Sequence, residues 1–501
     1  MGSVAGLKGG TPHLLYPTTK GAIVNMTRAM AAHHAKDGIR VNCVCPGMVY
    51  TPMMYAKGMS AETREARRNR SLLKTEGNGW DVGAAVRFLA GDEARWMTGV
   101  ILPVDGGATA AVGIELPASA SPLNGVDSLT VSLTTDINDR RKMADYSEYS
   151  TPTEEWIAYE KTLPPPPTDL DVQAMKDFFN RAREERAANA MVNEGLQSQV
   201  SMQDYSVPAR DGFPLEVRSY RPASLPPSQR LPVYIHLHGG GFLFGTLASE
   251  DAICSRIVAT LAKENTPVMV VNVNYRHTPE YKYPTAWHDA ADAFHWVHDH
   301  LTELGADGDN VVIGGISAGA WLTASLMLAQ HLGTDEQLAK RPKIKGQVLM
   351  IPALVGPGCY APQLKYLKDP KLSSYVDCEL APILPVKRIN FFVGLLETKG
   401  DETDLVLNPG NASAEQVRGL PSTTFGIAGR DPLRDEGLFF AKLLTDNGVP
   451  TDVHVFPGLP HGFRSHATLS ECKRWDSVMA HGVQWALSNP AATGVFEINS
   501  K

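Results

Sequence analysis

The sequence predicts an α/β fold, a mostly parallel sheet with helices on both faces, and three observations carry that prediction. Short apolar runs without polar alternation recur at Leu231–Leu237, Val268–Asn274, Val311–Ile316, Lys345–Leu354 and Thr423–Ala428, the composition of strands covered on both sides. Helix-length segments separate them, including Ala286–Leu304 and Ala318–Leu332, and strands alternating with helices of this length imply parallel pairing. Glycine-rich turns close two of the strands, His238-Gly239-Gly240-Gly241 and Gly315-Ile316-Ser317-Ala318-Gly319.

The chain has 501 residues, 43% of them hydrophobic, which suits two or three packed domains. The expected order is a 1–112 segment, a 113–150 linker, cap helices in 151–200, a catalytic domain over 201–490 and a 491–501 tail. A net charge of −7 is small for this size and argues against a nucleic-acid or membrane partner. Residues 1–112 are locally basic, with 13 Lys/Arg against 8 Asp/Glu; Arg64, Arg67, Arg68 and Arg70 read as a solvated helix face. Six cysteines, none in a C-x-x-C pair, are too sparse for a disulfide framework. No run reaches transmembrane length, the amino terminus has no signal core, and the carboxyl end is not a peroxisomal tripeptide. A cytoplasmic protein without stable membrane insertion is expected, which would leave the Asn411-Ala412-Ser413 sequon silent. No metal site is expected, and the oligomeric state stays open.

In the first segment, Tyr16 and Lys20 stand four apart at a helix start, on the same side. Ser3 lies thirteen residues before Tyr16. Ile39–Gly47 and Val100–Gly107 read as strands ending in turns. The region resembles the carboxyl half of short-chain dehydrogenases/reductases, on Ser3, Tyr16, Lys20, Pro46-Gly47 and Asp105-Gly106-Gly107. The resemblance implies that Tyr16 would donate or accept the proton, Lys20 would lower its pKa and hold the nicotinamide ribose, and Ser3 would polarise the carbonyl. The family's glycine-rich dinucleotide turn belongs ahead of this segment, and no G-x-G-x-x-G follows a strand elsewhere in the chain. An incomplete Rossmann-like remnant, with no bound cofactor and with its two strands lacking their usual neighbours, is therefore expected.

Ala108–Asp139 is rich in Ala, Ser, Thr, Gly and Pro and suits a linker, and Pro164–Pro167 is stiff, extended punctuation. Asp169–Ala188 reads as an amphipathic helix with Leu170, Met175, Phe178 and Phe179 as apolar members, either core packing or a lid over a pocket. Asp204–Pro222 reads as a hairpin turning at Asp211-Gly212.

The Gly315–Gly319 run has the spacing of a nucleophile elbow, a sharp strand-to-helix turn with Ser317 at its apex. Flanking glycines let the strained serine backbone approach its neighbours. The glycines of 239–241 leave backbone N–H groups open to hold an oxyanion. Asp431 falls at the end of the Thr423–Ala428 strand, whereas Asp435 reads as a helix or salt-bridge residue. His461 sits in a Gly/Pro loop after a last strand, Val453–Phe456, completing the order Ser…Asp…His. His238, His277, His288 and His454 are the competing bases.

Residues from about 154 to 490 resemble the hormone-sensitive-lipase-like branch of α/β-hydrolase esterases. The marks are His238–Gly241, Tyr275-Arg276…Pro279-Glu280, Gly315–Gly319, Asp431–Gly437 and His461-Gly462-Phe463. The resemblance implies carboxylic ester hydrolysis by Ser317, His461 and Asp431, oxyanion N–H groups from Gly240, Gly241 and Ala318, and a cap built from helices ahead of the sheet. His277-Thr278 departs from the small apolar residues common there. The expected substrate is a small to medium acyl or acetyl ester, with a role in secondary metabolism suggested by the neighbouring reductase remnant. The alternatives are a bifunctional reductase–esterase and a non-catalytic ligand-binding relative.

Overall fold

A computed structural model of the chain describes residues 1–8, 14–51, 59–110, 144–164, 170–398 and 400–501. The chain divides into two units, Met1–Val131 and Ser132–Lys501. Nearly all of the 108–139 linker and most of the proline run lie outside the described residues.

The second unit is built on eight strands. They are β3 (Val200–Pro208), β4 (Pro214–Pro222), β5 (Leu231–Leu237), β6 (Met269–Asn274), β7 (Ala306–Ile316), β8 (Gly346–Met350), β9 (Ser422–Arg430) and β10 (Thr451–Pro460). Their order is β10-β9-β8-β7-β5-β6-β4-β3. The β3–β4 and β4–β6 pairs are antiparallel and all others parallel. The hairpin expected at Asp211-Gly212 is the β3–β4 connection.

Alternate residues of the central strands feed two hydrophobic layers. Val233, Ile235, Val271, Val273 and Ile313 face one, and Tyr234, Val270, Val312 and Val348 face the other. Burying each such aliphatic side chain contributes roughly 1.5–3 kcal/mol, which is why the runs carry no polar alternation. Helices cover both faces: Thr285–Asp299, Ala318–Leu332 and Arg434–Asp446 contribute to the first layer, Asp251–Lys263 and Cys472–Leu487 to the second.

Three segments differ from expectation. Residues 144–150 are packed rather than linking: Ala144 exchanges backbone hydrogen bonds with Tyr366 and Lys368, and Tyr146 is buried against Phe439. The tail is docked, with Asn499 bonded to the Val453 and Val455 backbone on the outer edge of β10. The Ala286–Leu304 helix breaks at His300.

In the first unit, α1 (Leu15–His34), α2 (Ala61–Arg68) and α3 (Gly79–Ala90) accompany β1 (Cys43–Pro46) and β2 (Ile101–Val104). β1 and β2 pair in parallel with one another, and the Gly2 N–H bonds Val44 on β1. Among the described residues the two strands pair only with one another, in keeping with the expected lack of their usual neighbours. The arginine cluster is not a simple solvated face: Arg64 and Arg67 both pair with the buried Glu76 at 2.8 and 3.3 Å.

Candidate active site

Ser317 stands where β7, near the middle of the sheet, turns into the helix Ala318–Leu332. Its backbone is at φ 54, ψ −114, a conformation a non-glycine residue adopts only when its surroundings impose it. A Cβ at Gly319 would be driven into the Leu237 carbonyl, and one at Gly315 into the Gly319 backbone. The elbow therefore closes only with glycine at both flanks. Ser317 holds the N-cap position, yet its side chain makes no capping bond. The hydroxyl instead meets His461 Nε2 at 2.9 Å.

His461 Nδ1 lies 2.7 Å from Asp431 Oδ2. The other carboxylate oxygen accepts from the Leu433 N–H at 3.0 Å, so both oxygens of this buried group are satisfied. Asp431 follows β9 and His461 follows β10, so neighbouring strands deliver the two side chains to the same end of the sheet. Phe463, two residues beyond His461, is fully buried against Phe456 and Trp475 and anchors the histidine loop.

The competing histidines go elsewhere. His238 is buried, stacks on Tyr275 at 4.3 Å, and burial pushes its imidazole down to about 4. His277 packs edge-on against it and is held well below the ordinary range by the same burial. His454 pairs with Asp452, and His288 lies on the helix Thr285–Asp299. Asp435 is an ion-pair residue as expected, bonded to Arg434 at 2.8 Å and to the Ser374 N–H.

Gly240 and Gly241 lie in the turn after β5, whose Leu237 and His238 carbonyls abut Gly319 at the elbow. The N–H groups of Gly240, Gly241 and Ala318 have no acceptor among the described residues. The Gly240 carbonyl takes the Leu243 and Phe244 N–H groups, which closes the turn. Thr278 supports it from behind, donating its N–H and hydroxyl to the Phe242 carbonyl. The His277-Thr278 departure thus bears on this loop.

Cover over the site comes from two places, one of them unforeseen. α4 (Glu154–Glu160) and α5 (Val172–Asn193) precede the sheet as expected. A later helix, Val386–Leu396, sets the Phe392 ring where a Gly241 Cβ would be. Phe392 meets Phe244 at 5.6 Å, and Phe244 meets Phe179 at 5.0 Å. Within the expected catalytic domain, the sequence predicts no helix or strand over 355–421. The Ile389-Asn390-Phe391-Phe392-Val393 run was the available signal for an apolar cover.

Residues 234–465 match the family described as alpha/beta hydrolase fold. Esterase LipI of Mycobacterium tuberculosis is 32% identical over 259 residues, 51% of this chain and 72% of the relative. The chain belongs to the alpha/beta hydrolase family. An arylesterase of Saccharolobus solfataricus is 31% identical over 306 residues, covering 59% of this hydrolase chain and 88% of the relative. A solved structure described as a hyperthermophilic esterase from the archaeon Pyrobaculum calidifontis is similar at 26% identity and a TM-score of 0.55, covering 68% of this chain and all of that one.

Residues 1–109 match the family described as enoyl-(acyl carrier protein) reductase, so a reductase-like segment precedes the hydrolase. The structure places its expected site residues as follows. The Ser3 hydroxyl accepts from the Ala5 N–H and caps its own turn. Tyr16 is half exposed, and the Lys20 ammonium lies over its ring at 5.7 Å instead of meeting its hydroxyl.

Proposed function

We propose that the protein hydrolyses carboxylic esters through Ser317, His461 and Asp431, with the N–H groups of Gly240, Gly241 and Ala318 holding the oxyanion. It is a carboxylesterase. The hydrogen-bonded chain Asp431–His461–Ser317, at 2.7 and 2.9 Å, carries the reading.

As the Ser317 oxygen attacks the ester carbonyl, His461 Nε2 takes its proton. Asp431 accepts from Nδ1–H, fixing the tautomer and stabilising the imidazolium. The carbonyl oxygen becomes an oxyanion within reach of donors already in place; losing one such donor costs about 10²–10³ in rate. His461 then gives its proton to the departing alkoxide, which leaves as alcohol. Water repeats the sequence on the acyl-enzyme, releasing the acid and restoring Ser317.

Phe179, Phe244 and Phe392 around the oxyanion loop favour a small to medium apolar acyl group. An acetyl ester from secondary metabolism is the favoured case. A relative from Dothistroma septosporum named versiconal hemiacetal acetate esterase, 29% identical over 262 residues, lends this support.

The test is a series of p-nitrophenyl esters of increasing acyl length, with organophosphonate labelling of the purified chain. Short acyl groups are expected to turn over fastest and Ser317 to carry the label. Ser317→Ala is expected to lose at least about 10³ in kcat. Near-full turnover by that variant would end the reading.

A further inference from the structure

One cap helix grips the loop carrying Gly240 and Gly241, and it does so with polar side chains. On α5, Lys176, Asn180, Arg183 and Glu184 follow one another at helical spacing. Asn180 Oδ1 accepts from the Gly245 N–H at 2.8 Å, and Glu184 Oε1 accepts from the Thr246 hydroxyl at 2.7 Å. Arg183 Nη2 donates to Glu250 Oε1 at 2.9 Å. Its Nη1 lies 3.0 Å from the point a Cβ at Gly240 would occupy. Lys176 Nζ reaches the Thr278 carbonyl at 3.3 Å, behind Phe242. Contacts are thus made along the length of the 240–250 loop.

The loop needs such a hold. Gly240, Gly241 and Gly245 have φ of +143, +62 and +132, and glycine gives up more backbone freedom on ordering than any other residue. Gly240 and Gly241 also have N–H groups with no described acceptor to fix them. Glu250, at the loop's far end, is buried and shared by Arg183, His236 Nε2 at 3.1 Å and the Ser249 hydroxyl at 3.0 Å. Arg183 is the cation in direct contact with this carboxylate, and an unpaired buried charge is costly. Misplacing a preorganised donor by about 1 Å can cost 10²-fold in rate.

We infer that Asn180 and Arg183 are positioning residues: α5 holds the Gly240–Gly245 loop in the geometry that receives the oxyanion. The inference rests on the oxyanion role proposed above. It makes the cap helix a determinant of kcat, beyond any part in admitting substrate.

The test uses the full chain with p-nitrophenyl acetate and a boronic acid that forms a tetrahedral adduct on the serine. Asn180→Ala and Arg183→Met are each expected to lower kcat about 10-fold with KM within about twofold, and to weaken the boronic acid by the same factor as kcat/KM. Arg183→Lys is expected to recover part of the loss. Because Arg183→Met strands Glu250, the pair Arg183→Met with Glu250→Gln is measured alongside; it is expected to melt like the parent while remaining slow. A raised KM at unchanged kcat, or unchanged boronic-acid affinity in all variants, would overturn the inference while leaving the esterase reading intact. Turnover surviving Ser317→Ala would instead remove the reading and the inference together.

Discussion

His461 is singled out among 15 histidines by what its two nitrogens touch. Asp431→Asn would keep its shape but could donate an N–H toward Nδ1, favouring the wrong tautomer; kcat is expected to fall by about 10³–10⁴ while the fold survives. Steady-state rates beside a thermal melt check this. A residual activity near the parent would remove Asp431 from its proposed role. The buried histidines make a different prediction, about stability. His298, on the helix Thr285–Asp299, is packed edge-on against Phe294, and burial holds it down at about 4, with Arg341 opposing its charge further. His238 is held at about 4 as well. An unfolded histidine titrates near 6.5, so between about pH 6.5 and 4 each of these two histidines binds more protons in the unfolded chain than in the folded one. The stabilisation is whole above pH 6.5 and is lost as pH falls toward 4, with a slope of up to about 1.4 kcal/mol per pH unit for each such histidine. Urea titrations at pH 5, 6 and 7 are expected to show rising stability, and His298→Gln to flatten that rise. Stability that is level or falling across this range would contradict the assignment.

The elements differ in what a single methyl group does to them. At Gly319 an added Cβ strikes the Leu237 and His238 backbone, atoms that belong to the sheet and the oxyanion turn and cannot yield. At Gly333, which ends the same helix at φ +68, nothing lies within 4 Å and only the backbone conformation is strained. Gly319→Ala is therefore expected to abolish activity and cost well over 3 kcal/mol, against about 1 kcal/mol and unchanged kcat for Gly333→Ala. Melting curves and esterase rates on both variants decide it; equal losses would mean the elbow is not as tightly closed as its geometry requires. The same contrast explains what was legible in the sequence. The elbow, β5 and the 239–241 turn demand residue types that almost nothing else demands: unbroken apolar runs, and glycine at contact points. The lid residues were less visible. Phe178 and Phe179 suggested an apolar contact face for α5, yet Phe178 is half exposed and the helix meets the oxyanion loop through Asn180, Arg183 and Glu184. A polar stripe reads as solvent-facing until its partners, here Gly245, Glu250 and Thr246, are known. Phe392 sits on the helix Val386–Leu396, which stands apart from the strand–helix alternation with short helical turns on either side, so that alternation does not announce it.

At the scale of the whole molecule, two units with different prospects share one chain. Ser132–Lys501 carries an eight-stranded sheet whose central strands are buried on both faces, and all the residues proposed for ester hydrolysis. The described part of Met1–Val131 has two short paired strands and two small apolar clusters, one of them around Val44, Val82 and Leu89. Trp80 and Trp96 are almost fully exposed there. A parallel pair of four-residue strands buries little, so the stability of this unit is expected to be low. None of the residues proposed for ester hydrolysis lies within it. A truncation that removes residues 1–131 keeps Ala144, which holds Tyr366 and Lys368 through its backbone. The 132–501 chain is expected to keep kcat/KM within twofold of the full chain and to melt at the same temperature, and the full chain to give no saturable NADPH fluorescence. A large loss of activity on truncation would mean that the reductase-like segment supports the hydrolase. Saturable NADPH binding would restore a second function, and with it the question of how a nucleotide is held when Ser3 caps its own turn and Lys20 rests on the Tyr16 ring.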